Sequence, residues 1–203
     1  MTIFYLDIEC DDLRGSTLLQ IACITDKHNQ FNVFIKPPFE RILSERCNEL
    51  TGFHSRNGRL FQYGNELTCL PRKEALQKFS DFVYNKSEGS TIFIAHNGSS
   101  YDYRILLRHF SKCGLRLGAN IKCCDSLSVI KKFYNAFPTK RPAGDQGYSL
   151  SSLADYYRIT NALEHNALAD SITLKRVIDF FILDHNLPVD FFVTETRDMT
   201  SFA

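Results

Sequence analysis

At 203 residues the chain is long enough for one well-buried domain and short for two. With 44% hydrophobic and 23% charged residues it has the composition of an ordinary globular protein, and no apolar run reaches the length of a membrane span. A net charge of +1 excludes recognition of a polyanion by bulk basicity, so any such substrate must be drawn by local charge. The seven cysteines are scattered, form no CxxC pair and argue against a zinc site; free thiols in a reducing compartment are expected. Met1 to Glu9 carry no basic leader or small-residue cleavage site, so no signal peptide is expected, and the expected location is intracellular, cytoplasm or nucleus.

In chain order, T-I-F-Y-L-D-I-E alternates as a strand, with Phe4, Leu6 and Ile8 on one face and Tyr5, Asp7 and Glu9 on the other. Leu18 to Thr25 and Gln30 to Lys36 predict two more strands around a turn at Asp26 to Asn29, and Pro37-Pro38 ends the third. A short helix is predicted over Ile42 to Leu50, stopped by Thr51-Gly52. Pro71 opens a helix carrying Ala75, Leu76, Phe79, Phe82 and Val83 at helical spacing. The nearly all-apolar T-I-F-I-A-H predicts a strand covered on both faces. A helix over Tyr101 to Lys112, a short strand at Ile121 to Cys124 and a helix from Ser126 to Tyr134 follow. Phe137 to Gly147 reads as a loop, and helices over Ser149 to Tyr157 and Asn166 to Asp184 complete the order. A meander followed by helix–strand units predicts an α/β domain: a mixed five-stranded sheet with helices on both faces, an arrangement that resembles the ribonuclease H-like fold. One domain is expected over 1–187, with 188–203 a loosely held C-terminal tail.

The acids are placed unusually. Asp7 and Glu9 share one face of a buried strand, where two carboxylates repel and are costly to bury. Two readings stay open for them: a divalent cation between them, Mg²⁺ or Mn²⁺ by the oxygen donors, or a strand end that reaches solvent. Asp102 opens a helix whose apolar stripe is Ile105, Leu106 and Phe110. Asp170 heads the stripe Leu174, Val177, Ile178 and Phe181. A helix-start acid or a buried ion pair is the competing account, but no lysine or arginine lies on those stripes. His165, in the loop before Asp170, is placed for proton transfer; the alternative is an ordinary surface histidine.

D-I-E at Asp7 to Glu9, H-N-G-S-S-Y-D at His96 to Asp102 and H-N-A-L-A-D at His165 to Asp170 resemble the three motifs of the DEDD exonuclease superfamily. The histidine five residues before the last aspartate matches the histidine subgroup; the sister subgroup needs a tyrosine where Asn166 stands. C-D-S-L at Cys124 to Leu127, Y-S-L-S-S-L at Tyr148 to Leu153 and Ser44 to Phe53 look most like the three-prime repair exonucleases, and are similar to the epsilon proofreading subunit of bacterial DNA polymerase III. The resemblance runs from Ile3 to Val177. It departs after Glu9, where Cys10, Asp11 and Asp12 replace the usual threonine and glycine and put contacts to the end of the strand in doubt.

The resemblance implies a metal-dependent 3′→5′ exonuclease releasing nucleoside 5′-monophosphates, with Asp7, Glu9, Asp102 and Asp170 holding two Mg²⁺ or Mn²⁺ ions and His165 as general base. Asn97 and Tyr101 are expected to touch the terminal nucleotide, with Leu50 and Phe53 an apolar ledge for its base; core packing is the alternative for each. The loop with Lys131, Lys132, Lys140 and Arg141 is expected to guide the backbone, or to be a solvated basic face. Expected partners are single-stranded DNA or RNA 3′ ends, with DNA favoured and no membrane; monomer or homodimer stays open. The alternatives are an exoribonuclease of the same superfamily and a non-catalytic nucleic-acid-binding adaptor on the same fold.

Overall fold

The computed structural model describes residues 1–12, 14–118, 120–140, 147–160 and 165–202. The strands are β1 Thr2–Cys10, β2 Leu18–Thr25, β3 Gln30–Ile35, β4 Phe53–Arg56, β5 Arg59–Gln62, β6 Asn65–Glu66, β7 Cys69–Leu70, β8 Thr91–Ala95, β9 Ile121–Asp125 and β10 Arg197–Asp198. The helices are α1 Glu45–Thr51, α2 Arg72–Lys86, α3 Asp102–Lys112, α4 Ser126–Ala136, α5 Leu150–Tyr156 and α6 Ala167–Asp184.

The main sheet has the order β10-β9-β8-β1-β2-β3-β7. β1, β2 and β3 form the antiparallel meander, and β8 and β9 add parallel to β1. The sheet is therefore mixed and α/β as expected, but it has seven strands rather than five. The two extra strands are two-residue edges, too short to leave a period in the sequence. Alternation along β1 divides the core. Phe4, Leu6 and Ile8 pack on one face with α2 and α3 through Phe79, Ile105, Leu106 and Phe110. Tyr5, Ile24 and Ile94 pack on the other with α4, α5 and α6 through Ile130, Leu153, Leu174 and Phe181. Helices thus cover both faces, and β1, carrying Asp7 and Glu9, lies near the centre of the sheet between β8 and β2.

Three expectations about local structure change. The helix predicted from Ile42 starts at Glu45, because the Ser44 side chain accepts from Cys47 N and caps it there; Ile42 is left exposed. Between α1 and β7 a three-stranded antiparallel sheet, β4-β5-β6, occupies a stretch for which no element was predicted. The segment from Asp190, expected to be loose, is tied down instead. β10 pairs with β9, while Phe192 and Met199 are buried, with Cys123 Sγ 3.0 Å from Met199 Sδ. It covers what would otherwise be an open sheet edge at β9. All seven cysteines are free thiols.

Candidate active site

The site sits where β1 ends and the N-termini of α3 and α6 meet it. Asp7, Glu9, Asp102, His165 and Asp170 line one cleft of about 350 Å³ together with Asn97, Tyr101, Leu50 and Cys47. Each helix brings its acid by a local device. The Asn166 side chain caps α6 by accepting from Leu168 N and Ala169 N. Gln20, fully buried on β2, anchors that cap: its Oε1 accepts from Ala167 N at 3.1 Å. The backbone of His165 adopts a left-handed conformation, φ 59, and its N–H donates to Asp170 Oδ2 at 3.0 Å. That turn folds the exposed imidazole back over the acid five residues on. At α3, Gly98 lets the loop H-N-G-S-S pass against Ala95 and the Tyr103 ring, where a Cβ would collide with both.

The electrostatics of the cluster are unfavourable for a metal-free protein. Burial pushes Asp7 well above the usual carboxylate range, and the charges of Asp102, Glu9 and Asp170 push it further. Glu9 is pushed up to about 8, first by burial, then by Asp170 and Asp102. Asp102 rises to about 7, mainly by burial, although backbone hydrogen bonds hold it down in part. Asp102 Oδ1 is buried and has no hydrogen-bond partner among the described residues. Ligand atoms of Glu9, His165 and Asp170 lie within 4.8 Å of one another. Carboxylate oxygens crowded beyond what protons and hydrogen bonds relieve are a donor set suited to a hard divalent cation.

The acids that follow Glu9 have a different setting. Asp11 is buried, accepts from Thr17 N at 3.1 Å and from Arg41 Nε at 2.6 Å, and Arg41 Nη2 also pairs with it. Asp12 accepts from Ser16 N at 3.1 Å and lies 3.6 Å from Arg41. Arg41, from the loop after β3, thus offsets one of the two extra charges, and backbone N–H groups of their own turn hold both acids.

Of the expected substrate contacts, Asn97, Tyr101 and Leu50 line the cleft. Phe53 does not: it is fully buried with Leu19, Leu43, Cys47 and Leu60 under the small sheet. The basic loop is dispersed. Lys132 pairs with Glu195 at 2.6 Å, Lys140 stands over the Phe133 and Phe137 rings, and Arg141 lies outside the described residues. Two residues that hold the site had no assigned role. Asp125 accepts from Asn97 N and Ser99 N, both at 3.1 Å, while also capping α4. His96 ties the start of α4 to the loop before α5, through Ser126 Oγ at 2.9 Å and Tyr148 O at 2.8 Å, and burial holds its pKa below the usual histidine value. Both belong to the motif segments, which was the available signal.

Residues 5–178 match the sequence model of a family described as exonuclease. The chain is 27% identical over 196 residues to an exonuclease of Arabidopsis thaliana described as chloroplastic/mitochondrial, covering 92% of this chain and 58% of that one. It is 30% identical over 138 residues to the human three prime repair exonuclease 2, covering 66% of this chain and 56% of that one. The chain therefore spans less than three fifths of the length of either relative. Exonuclease I of E. coli, solved with a dA16 oligonucleotide, shares the fold with a TM-score of 0.75 at 15% identity, over 91% of this chain and 41% of that one. Cell-death related nuclease 4 superposes with a TM-score of 0.68 at 14% identity, over 90% and 64%.

Proposed function

The chain belongs to the exonuclease family, and on that premise we propose that it hydrolyses nucleic acid from the 3′ end, releasing nucleoside 5′-monophosphates, with two Mg²⁺ or Mn²⁺ ions as cofactors. Single-stranded or frayed DNA 3′ ends are the favoured substrate. The observation that carries the reading is the convergence of four carboxylates from β1, α3 and α6 on one cleft with a histidine at its edge.

Asp7, Glu9 and Asp170 would hold one ion, and Asp7 with Asp102 the other; the unpartnered Asp102 Oδ1 fits that use. Divalent cations bound there supply a more acidic water and stabilise charge on the attacking and leaving oxygens of an in-line displacement. His165, exposed at the edge of the cleft, accepts the proton of the attacking water and passes it to solvent. Asn97 and Tyr101 position the terminal nucleotide, and Leu50 gives its base an apolar surface. Tyr101 is itself fixed, its hydroxyl donating to Asp12 O at 3.2 Å. We assign residues 1–187 to the exonuclease domain and 188–203 to an extension that closes the sheet edge at β9.

Among the described residues no helix is long and apolar enough to cross a membrane. The test is digestion of matched end-labelled single-stranded DNA, duplex DNA and RNA with Mg²⁺. Mononucleotides released in order from the 3′ end, fastest from single-stranded DNA, are expected. Tight binding with no Mg²⁺-dependent release would make the protein an adaptor and overturn the reading; faster loss of RNA would make it an exoribonuclease.

A further inference from the structure

The small sheet contains the same two-residue turn twice. β4 and β5 are joined by Asn57 and Gly58, with φ 51 and 70, and β5 and β6 by Tyr63 and Gly64, with φ 48 and 84. Two successive positive φ values are the signature of the type I′ hairpin turn, for which Asn-Gly is the favoured sequence. The first turn has that pair; the second has a bulky aromatic in the strained position. Strain of this kind persists where the surroundings hold it, and it clusters at functional sites.

The surroundings of Tyr63 are specific. Its N–H donates to Gly52 O at 3.1 Å, and Gln62 Nε2 donates to Thr51 O at 2.9 Å, so the turn is tied to the C-terminal end of α1. The Tyr63 ring lies over Gly52 so closely that a Cβ there would overlap it. Gly52 directly follows Leu50 and Thr51, which line the cleft. Yet the residue remains 64% exposed. The hairpin therefore holds a largely exposed tyrosine against Gly52, two residues along the chain from the cleft-lining Leu50, at a conformational cost that an asparagine would avoid.

We propose that Tyr63 is a substrate-positioning residue that stacks on one of the two bases next to the 3′-terminal nucleotide, extending the platform that begins at Leu50. This rests on the exonuclease reading. Aromatic stacking accepts every base, so it supplies grip without sequence preference.

Two measurements separate the inference from the reading beneath it. Hydrolysis of the p-nitrophenyl ester of thymidine 5′-monophosphate, which has no neighbouring base, tests the chemistry alone. Binding of a fluorescein-labelled single-stranded oligonucleotide in EDTA, read by anisotropy, tests the ring whether or not the protein cleaves. Tyr63→Asn keeps the turn with its favoured residue. It should weaken oligonucleotide binding about 5- to 140-fold, the worth of one stacked base, hold or raise Tm, and leave ester hydrolysis unchanged. Tyr63→Phe should bind as the wild type. An abasic residue in the second or third place from the 3′ end should erase the difference between Tyr63→Asn and wild type. Wild-type binding by Tyr63→Asn with a lowered Tm would reduce the ring to packing and overturn the inference, as would a binding defect that persists with both abasic oligonucleotides.

Discussion

Within six residues of one another, Asp7, Glu9, Asp11 and Asp12 meet two different fates. Asp11 and Asp12 share Arg41 and the backbone N–H groups of Thr17 and Ser16. Burial is the largest single influence on Asp12 and raises it, but hydrogen bonds from Ser16 and Arg14 and the charge of Arg41 together hold it below the usual carboxylate range. Asp7 and Glu9 are set against Asp102 and Asp170, and their affinities for protons rise. The two settings differ in what neutralises the acid. The Asp11–Asp12 turn is set beside a cation of the chain itself, whereas Asp7 and Glu9 are set beside further carboxylates, which is how the proposed metal site differs from a turn that is only structural.

The most severe way to test that contrast is Asp170→Asn, which removes a charge from the cluster at constant shape. Charge stabilisation by a bound cation is worth several kcal/mol, so cleavage should fall by on the order of 10³-fold or more. The metal-free fold should be no less stable, since a repelling charge is gone. Wild-type turnover in this variant would end the assignment of Asp170 as a metal ligand. His165→Ala should lower the single-turnover rate by roughly 10²–10⁴-fold, the usual worth of a positioned proton acceptor, while melting and oligonucleotide binding stay near wild type. Were His165 only packing at the start of α6, the same sample would melt earlier and cleave at the wild-type rate.

The other half of the contrast is broken at Arg41. Arg41→Met keeps the aliphatic stem but, among the described residues, leaves the buried Asp11 carboxylate with only its backbone partner, Thr17 N. A cost of about 1–3 kcal/mol is expected, a drop of roughly 2–12 °C in Tm for a chain of this size. Hydrolysis of the nucleotide ester by the folded fraction should be unchanged. Full stability in Arg41→Met would mean that solvent or metal, not Arg41, neutralises that turn.

The sequence was most informative where a period and a charge coincided. Asp102 and Asp170 each head an apolar helical stripe, and that placement pointed to the site before any family resemblance entered; both line the cleft. The main strands and helices were legible because their burial is periodic, as in β1 with Phe4, Leu6 and Ile8 on one face. Of the two readings of Phe53, ledge or core, the structure supports core, and the local pattern could not decide because nothing in it shows that a second sheet covers the ring. That sheet had one local signal, Asn57-Gly58, the usual mark of a tight hairpin, but the flanking Phe53–Arg56 and Arg59–Gln62 are too polar to show a clear strand period. β7 and β10 are two-residue pairings set by long-range contact, for which a sequence window has no period to detect. The Asp11–Arg41 pair joins positions 30 residues apart, and its partner choice depends on the fold bringing the turn and the loop together.

The gentlest test uses pH and requires no mutation. In the metal-free protein, Asp102 rises from 3.8 to about 7 and Glu9 from 4.5 to about 8, both chiefly by burial. Below the ordinary carboxylate range both groups are protonated in folded and unfolded chains, and their contribution to stability is fully present. Between that range and about pH 8 the unfolded chain ionises while the folded one keeps its protons, so stability falls as pH rises. Asp12 has the opposite sign: its depressed value adds stability that is lost only as pH falls below the ordinary range. In EDTA, Tm should therefore decline from pH 5 to pH 8. Millimolar Mg²⁺ or Mn²⁺ should raise it by roughly 3–10 °C at pH 8, through binding to the folded state alone. The rise should be smaller at pH 5, where protons compete for the same oxygens. Asp7→Ala should lose most of the metal-induced rise and flatten the decline in EDTA, because it removes both a ligand and a repelling charge. A wild-type melting curve indifferent to millimolar Mg²⁺ and Mn²⁺ at pH 8 would show that these carboxylates hold protons rather than metal.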